Sequence, residues 1–238
     1  MNRHAAIGSL LLATGVATGQ TDLTVSCISD PPFACAIGES QFRVEVTLDE
    51  RAACFAFTNS GPEAPSIARV YFDDRSGILG DAEVVNGPGV ALAVVPHPAP
   101  PDLPGGEPYG FRATHRFIAL EPPPLNGINS GEHASICFDV PDGTTLQDLR
   151  LALASGSLRL GLHAIAFPDS ESASYISDPV CLADYNLDGQ DNSQDFFDFL
   201  DDFFSHAPMA DINADGVVNS NDFMLFMTLF FAGCEDTR

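Results

Sequence analysis

The most constraining feature of this 238-residue chain is a twelve-residue pattern that occurs twice near its C-terminus. The first copy runs from Asp184 to Asp195 and the second from Asp211 to Asp222. In both copies aspartate or asparagine occupies positions 1, 3, 5, 9 and 12, and glycine occupies position 6. Each copy is followed by a phenylalanine-rich run. Two complete matches of this length predict a duplicated loop–helix unit.

The order of residues in both copies is that of an EF-hand calcium loop. Calcium is a hard cation that takes about six to eight oxygen ligands, and a chain looped around it offers alternate side chains. Gly189 and Gly216 allow the sharp turn that a side chain resists. We therefore predict two calcium ions. The ligands predicted for the first are Asp184, Asn186, Asp188, the carbonyl of Gln190, Asn192 and Asp195; those for the second are Asp211, Asn213, Asp215, the carbonyl of Val217, Asn219 and Asp222.

The arrangement differs from an ordinary EF-hand in two respects. Position 12 is aspartate rather than glutamate, and no helix-length segment precedes either loop. A loop–helix, loop–helix duplex that begins at Cys181 and ends at Cys234 resembles a dockerin, in particular the GC-type modules at the C-termini of secreted bacterial proteins. The resemblance covers about a quarter of the chain. It implies attachment to a cohesin-like receptor on a scaffold or cell surface.

In dockerins, loop positions 10 and 11 and the face of the following helix contact the cohesin. The residues that the resemblance assigns to partner binding are Ser193, Gln194, Phe197, Leu200, Ser220, Asn221, Met224 and Met227. The basic pair that many dockerins carry in the helix is absent, because Leu200 and Asp201 stand there in the first copy. This departure predicts a different receptor surface. Both helical runs carry more apolar residues than one helix pair can bury, so the surplus needs either a docking partner or the preceding domain as its neighbour.

The preceding region, residues 20–167, is predicted to be a β-sandwich, because short alternating runs are separated by proline and glycine turns. One helix is expected after a cap at Thr144 or Thr145, with Leu146, Leu149 and Leu153 on its apolar face. The strands are predicted at 23–28, 42–48, 54–58, 68–72, 90–95, 111–118, 134–140 and 158–167. The fold class is therefore mainly β, followed by a small helical module at 181–234.

Three stretches of this region, at 66–73, 103–106 and 156–168, resemble the β-rich ectodomains of exported bacterial proteins that end in a PEP-CTERM sorting helix. The resemblance implies an ectodomain of unassigned function, here joined to the dockerin by a serine- and aspartate-rich linker at 168–180.

Residues 1–19 have the basic start, short apolar run and small residues of a cleavable signal peptide, which predicts a secreted or cell-surface bacterial protein. The net charge of −23 argues against nucleic acid as a partner. No later apolar run is long enough to span a membrane. Six cysteines in an exported chain suggest three disulfides. A bridge between Cys181 and Cys234 would join the ends of the duplex, while the pairing of Cys27, Cys35, Cys54 and Cys137 stays open.

The sequence contains no recognisable catalytic motif, and a non-enzymatic role is expected. Two alternatives remain. The β-rich region could bind or process polysaccharide, with Tyr71 and Tyr109 as platforms or Asp73, Asp74 and Glu132 as paired acids. Alternatively, the protein could be a structural surface protein whose duplex packs on its own β-rich region, which would bury Phe197, Leu200 and Phe204.

Overall fold

The computed structural model describes residues 20–30, 32–49, 51–95 and 102–234. The expected signal peptide, the tail at 235–238 and part of the proline-rich segment at 96–108 lie outside the described residues. The strands are β1 Gln20–Leu23, β2 Val25–Cys27, β3 Phe42–Asp49, β4 Ala52–Asn59, β5 Ser66–Asp74, β6 Ala82–Asn86, β7 Leu92–Val94, β8 His115–Ala119, β9 His133–Asp139, β10 Leu158–Ile165 and β11 Ala173–Ser177. The helices are α1 Pro32–Gln41, α2 Pro123–Asn126, α3 Leu146–Ala154, α4 Ser193–Ser205 and α5 Ser220–Ala232.

The strands form two antiparallel sheets, which confirms the prediction of a mainly β fold. One sheet has the order β1-β3-β4-β9-β6 and the other has the order β2-β11-β10-β5-β8-β7. Aromatic rings from both sheets meet in the core: Phe72 of β5 packs edge-on against Phe55 of β4 at 4.9 Å and against Phe138 of β9 at 4.7 Å between ring centroids. The two sheets therefore share one hydrophobic core, as in a β-sandwich. We call residues 20–177 the β-domain.

Alternation between buried and more exposed residues is seen in β1, β3, β4 and β9. In β3, Phe42, Val44 and Val46 are buried whereas Arg43 is exposed, as their spacing predicts. The predicted strand at 23–28 is divided at Thr24, because β1 pairs with β3 and β2 pairs with β11 in the other sheet. The chain thus passes from one sheet to the other at this residue.

Three elements differ from the sequence analysis. The segment 168–180 is not simply a linker, since β11 within it is buried along its whole length between β2 and β10. Helix α1 was not predicted. It starts with a proline, whose fixed φ suits the first helical turn, and it is held by the hydroxyl of Tyr175, which donates to the Ala34 carbonyl at 2.7 Å. Strand β6, at the edge of its sheet, was also missed.

The predicted helix is confirmed as α3. Thr145 caps it with a capping box, in which the threonine side chain accepts from the Asp148 backbone and the Asp148 side chain accepts from the Thr145 backbone. Leu149 and Leu153 belong to the core of the β-domain. Gln147 and Arg150, on other sides of the same helix, are also buried.

His163 is expected to make the stability of the β-domain depend on pH. It lies half-buried on β10, 3.0 Å from the Ser174 hydroxyl, and burial together with the positive charge of Arg69 lowers its pKa to about 4. A histidine in an unfolded chain has a pKa near 6.5. Below that pH, His163 is protonated in the unfolded chain but stays neutral in the native protein, which favours unfolding. The free energy of unfolding should therefore fall by about 2 kcal/mol as the pH drops from about 6.5 to 4, after allowing for partial exposure.

Denaturation of the wild type and of His163→Gln at pH values across this range measures the effect. The variant should lack this part of the pH dependence, whereas His133→Gln, which changes an exposed histidine on β9, should retain it. If lowering the pH reduces the free energy of unfolding of His163→Gln as much as that of the wild type, His163 is not the cause of the pH dependence.

Candidate metal centre in the C-terminal duplex

Residues 181–234, here called the duplex, begin shortly after the end of β11 at Ser177. Loop 1 (residues 184–195) leads into α4, and loop 2 (residues 211–222) leads into α5. The two helices pack through their aromatic faces, with the rings of Phe199 and Phe226 stacked 4.0 Å apart between centroids. The predicted loop–helix, loop–helix order is therefore present in the structure.

The two loops have the same internal hydrogen bonds. The carboxylate at position 1 accepts from the backbone N–H groups of positions 5 and 6, which for Asp184 are Asp188 at 3.1 Å and Gly189 at 3.0 Å. For Asp211 they are Asp215 at 3.1 Å and Gly216 at 2.7 Å. The bonds from position 5 to 3, from 7 to 5 and from the side chain of 9 to the carbonyl of 7 recur in the same way.

The backbone repeats as well. Gly189 and Gly216 have φ values of 83° and 86°, in the left-handed region that favours glycine. Leu187 and Ala214, two residues earlier in each loop, also have positive φ, at 64° and 52°. In each loop, the side chains at positions 1, 3 and 5 therefore point toward backbone N–H groups of the same loop.

Positions 9 and 12 of each loop begin the following helix. Asn192 is the N-cap of α4 and Asp195 is its third residue, and the pair forms a capping box; Asn219 and Asp222 do the same for α5. The oxygen of Asn192 accepts from Gln194 N at 2.8 Å. The side-chain oxygen at position 9 of each loop therefore already accepts a hydrogen bond from the backbone of the helix.

Asp195 and Asp222 are fully buried. The two oxygens of Asp195 accept from the backbone N–H groups of Asn186 and Asn192 at 3.1 and 2.8 Å, and Asp222 repeats this with Asn213 and Asn219. In the part of the chain that the structure describes, neither carboxylate forms an ion pair, and residues 181–234 contain no lysine or arginine. Each loop therefore buries a carboxylate that forms no ion pair, which is costly unless a nearby cation compensates it.

The electrostatics of loop 1 show the same imbalance. Burial raises the pKa of Asp184, and the neighbouring carboxylates of Asp195 and Asp188 raise it further, against the lowering effect of the N–H groups of Gly189 and Asp188. Loop 1 also borders a cleft of about 410 Å³ that is lined by five aspartates: Asp22, Asp178, Asp184, Asp188 and Asp191. A cation could approach loop 1 through this cleft.

The donor set of each loop fits calcium in its chemistry. Three carboxylates, asparagine oxygens and a main-chain carbonyl are all hard oxygen ligands. Among the described residues, however, no three aspartate, glutamate, histidine or cysteine side chains converge into a group that could hold a metal ion. In both loops the carboxylates bond to backbone N–H groups instead. Calcium coordination by these residues is therefore a proposal.

The residues predicted to bind a partner divide into two groups. Ser193, Gln194, Ser220 and Asn221 are exposed, and so are Phe197 and Met224. Leu200 is half-buried in the cluster around Phe199 and Phe226, and Met227 is half-buried. The exposed members lie on α4 and α5.

No protein-family model matches this chain. Searches of curated proteins and of solved structures also return no significant match.

All three disulfides lie within the described residues. Cys181 pairs with Cys234, as expected, with Cα atoms 5.5 Å apart. The pairings that the sequence left open are Cys27–Cys35 and Cys54–Cys137. The last of these links directly opposite residues of β4 and β9.

The residues considered for polysaccharide binding or processing have structural partners. Asp73 is fully buried and forms ion pairs with Arg75 and Arg159, while Asp74 accepts from Ser76, Gly77 and Leu79. Glu132 accepts from Asn129. Tyr71 is buried, and Tyr109 is exposed. These acids are held in turns and ion pairs, and no observation favours the polysaccharide alternative.

Sequence analysis missed the residues that join the duplex to the β-domain. Arg150 and Gln147 of α3 donate to backbone carbonyls of the duplex. Tyr185 and Asp202 form a further pair inside the duplex at 2.7 Å, where burial, followed by the bond to Asp202, raises the pKa of Tyr185. The sequence signal for the junction is weak: Gln147 and Arg150 stand one helical turn apart on α3.

Proposed function

We propose that this is a secreted, non-catalytic protein whose C-terminal duplex binds two calcium ions and docks on a protein receptor, as a dockerin docks on a cohesin. The observation that carries the proposal is that the two loops are alike in sequence, in hydrogen bonding and in backbone conformation. The same ligand-type residues occur at the same positions, and they make the same hydrogen bonds around the same positive-φ glycine.

Calcium supplies the charge that the loops lack. Each loop gathers three aspartates, one of which is buried with only N–H partners. Two calcium ions would bring four positive charges to a segment without lysine or arginine. Binding energy of this kind is expressed as folding energy, because the unfolded chain has no preformed site.

The docking surface is the outward side of α4 and α5. Phe197, Phe204, Met224 and Phe231 are exposed by 59, 73, 63 and 77%, although rings next to them in the sequence lie inside the duplex. The alternative in which the duplex buries this face on its own β-domain requires Phe197 and Phe204 to be covered. Both are open to solvent, so this observation favours docking on a partner.

The chemistry of this surface indicates the chemistry of the receptor. Asp201 lies exposed between Phe197 and Phe204 on α4, and no basic residue occurs on either helix. A receptor with basic residues around apolar depressions would complement it. The absence of the basic pair of ordinary dockerins agrees with such a reversed charge arrangement.

The disulfides support the proposal of secretion. Three disulfides are typical of proteins that fold in an oxidising compartment. Together with the expected signal peptide at 1–19, they support export of the chain before it is held at a surface by its duplex. Among the described residues, no helix has the length and apolar character needed to cross a bilayer.

A capture experiment with matched variants tests docking. The full chain is immobilised, exposed to the envelope and secreted fractions of the source organism in calcium and in EDTA, and the captured protein is then purified for affinity measurement. We expect binding only in calcium. Replacing both exposed rings (Phe197→Ser with Phe204→Ser) should weaken binding by about tenfold or more, because exposed aromatic anchors dominate interfaces.

The control is Leu125→Ser, which removes a comparably exposed apolar side chain from the β-domain. It should bind like the wild type. Binding that persists in EDTA, or that Leu125→Ser weakens as much as the phenylalanine replacements do, would contradict docking through the duplex.

A further inference from the structure

Helix α3 contacts two different parts of the molecule. Leu149 and Leu153 belong to the core of the β-domain. Gln147 and Arg150 are as deeply buried as these leucines, but their polar groups reach residues of the duplex. One helix therefore packs in the core of the β-domain and forms direct hydrogen bonds with the duplex.

Arg150 holds the beginning of loop 1. Its Nη2 donates to the carbonyl of Asp184 at 2.9 Å and to the carbonyl of Cys181 at 3.4 Å. Asp184 is position 1 of loop 1, and Cys181 carries the disulfide that closes the duplex. The guanidinium thus fixes the backbone of the first predicted calcium ligand.

Gln147 extends the same contact to loop 2. Its Nε2 donates to the carbonyl of Ile212 at 3.3 Å, while Nη1 of Arg150 donates to its Oε1 at 3.5 Å. Ile212 is the second residue of loop 2 and is fully buried in the duplex core. Two side chains one helical turn apart therefore bind the start of both loops.

Arg150 brings a positive charge to the beginning of loop 1. It is fully buried, and none of its hydrogen bonds goes to a carboxylate among the described residues. Its charge interacts with the carboxylates of Asp184 and Asp195, which are the first and last residues of loop 1 and predicted calcium ligands. The electrostatic environment of Arg150 therefore includes both ends of the loop.

We propose that Arg150 is the positioning residue of loop 1 and that it transmits calcium binding to the β-domain. This inference rests on the proposed calcium site. When calcium orders loop 1, the carbonyls of Asp184 and Cys181 are fixed, and α3 is held with them. Coupling of this kind is reciprocal, so a closed junction also favours calcium binding.

Hydrogen exchange of the full chain, followed by mass spectrometry in calcium and in EDTA, tests the coupling. In the wild type, amides of the duplex should exchange more slowly in calcium. Amides of α3 and of β11, the strand that precedes the duplex in the chain, should also slow, by about tenfold, since coupling energies between sites commonly correspond to such factors.

Arg150→Met should restrict the calcium effect to residues 181–234 and remove it from α3 and β11. The matched control is Arg159→Met. Arg159 is a largely buried arginine of the β-domain that donates to Asp73 and to the carbonyls of Tyr109 and Gly110, and none of its hydrogen bonds reaches the duplex. This control should keep the calcium response of α3, even if its overall stability is lower.

The outcomes separate this inference from the proposed function. A calorimetric titration of the wild type that shows no calcium binding would overturn the proposed function itself. Calcium binding without slower exchange in α3 and β11 would overturn only the role of Arg150, and this result requires no variant to fold. An unchanged calcium response of α3 in Arg150→Met would overturn it as well.

Discussion

Asp195→Asn is expected to destabilise the protein far more in calcium than in EDTA. In the absence of metal, the substitution weakens the capping box of α4 and should cost about 1 kcal/mol of unfolding free energy. In calcium it also removes a charged ligand from loop 1. If calcium is present at about 1,000 times the dissociation constant of that loop, binding contributes about 4 kcal/mol to stability. Most of this contribution should be lost.

The chain offers a matched control for this experiment. Asp148 occupies the same third position in the capping box of α3, outside either loop. Asp148→Asn should cost about 1 kcal/mol whether calcium is present or not. Urea denaturation followed by far-ultraviolet circular dichroism in both conditions gives the four differences. An equal cost of Asp195→Asn in calcium and in EDTA would show that Asp195 is a helix cap and not a ligand.

The same substitution in loop 2 tests whether the two loops act alike. Asp222 is also fully buried, with N–H partners at 3.3 and 2.8 Å that match those of Asp195. Asp222→Asn should therefore repeat the calcium dependence. The loops differ in their contact with α3, since loop 1 is bound by Arg150 and loop 2 by Gln147. A difference in apparent affinity between the loops would reflect that contact.

Local patterns in the sequence predicted the elements that depend on local physics. The alternation in β3 and the cap and leucine spacing of α3 require only neighbouring residues, and both are confirmed. The mainly β character follows from many such runs. The disulfide between Cys181 and Cys234 could also be expected, because the two cysteines flank the duplicated segment.

Elements that depend on distant partners could not be predicted in this way. Strand β11 looks like a serine-rich linker in the sequence, and its burial is caused by pairing with β2, which lies near the start of the chain. Helix α1 is stabilised by Tyr175 of β11, more than a hundred residues away. Neither β11 nor α1 can be recognised from its own sequence pattern unless the order of the strands in the sheet is known.

The candidate site shows the same division. The loop residues are recognisable from spacing, because an EF-hand-type loop takes the ligands of one ion from twelve consecutive residues. Arg150 is not, since a charged residue on a short helix is usually exposed to water. Its burial results from the duplex covering it. Which phenylalanines of α4 face inward was also decided by packing: Phe199 stacks on Phe226, whereas Phe197 and Phe204 remain outside.

Removing the disulfide of the duplex, by Cys181→Ala with Cys234→Ala, is expected to lower the free energy of unfolding by about 4 kcal/mol. The two cysteines are 53 residues apart, so their bridge strongly restricts the unfolded chain. It also closes the duplex next to loop 1, because Cys181 O accepts from Arg150 and Cys234 N donates to Asp191 at 2.9 Å. The variant should consequently need more calcium to reach half-maximal folding.

The bridge between Cys27 and Cys35 provides the comparison. These cysteines are only 8 residues apart, and replacing both with alanine should cost about 2.5 kcal/mol because a short loop restricts the unfolded chain less. This control should leave the calcium requirement of the duplex unchanged. Denaturation without reductant, at several calcium concentrations, measures both quantities. If the two double variants lose equal stability and need equal calcium, the Cys181–Cys234 bridge does not support loop 1, and the ordering of that loop must depend on α3 and the metal alone.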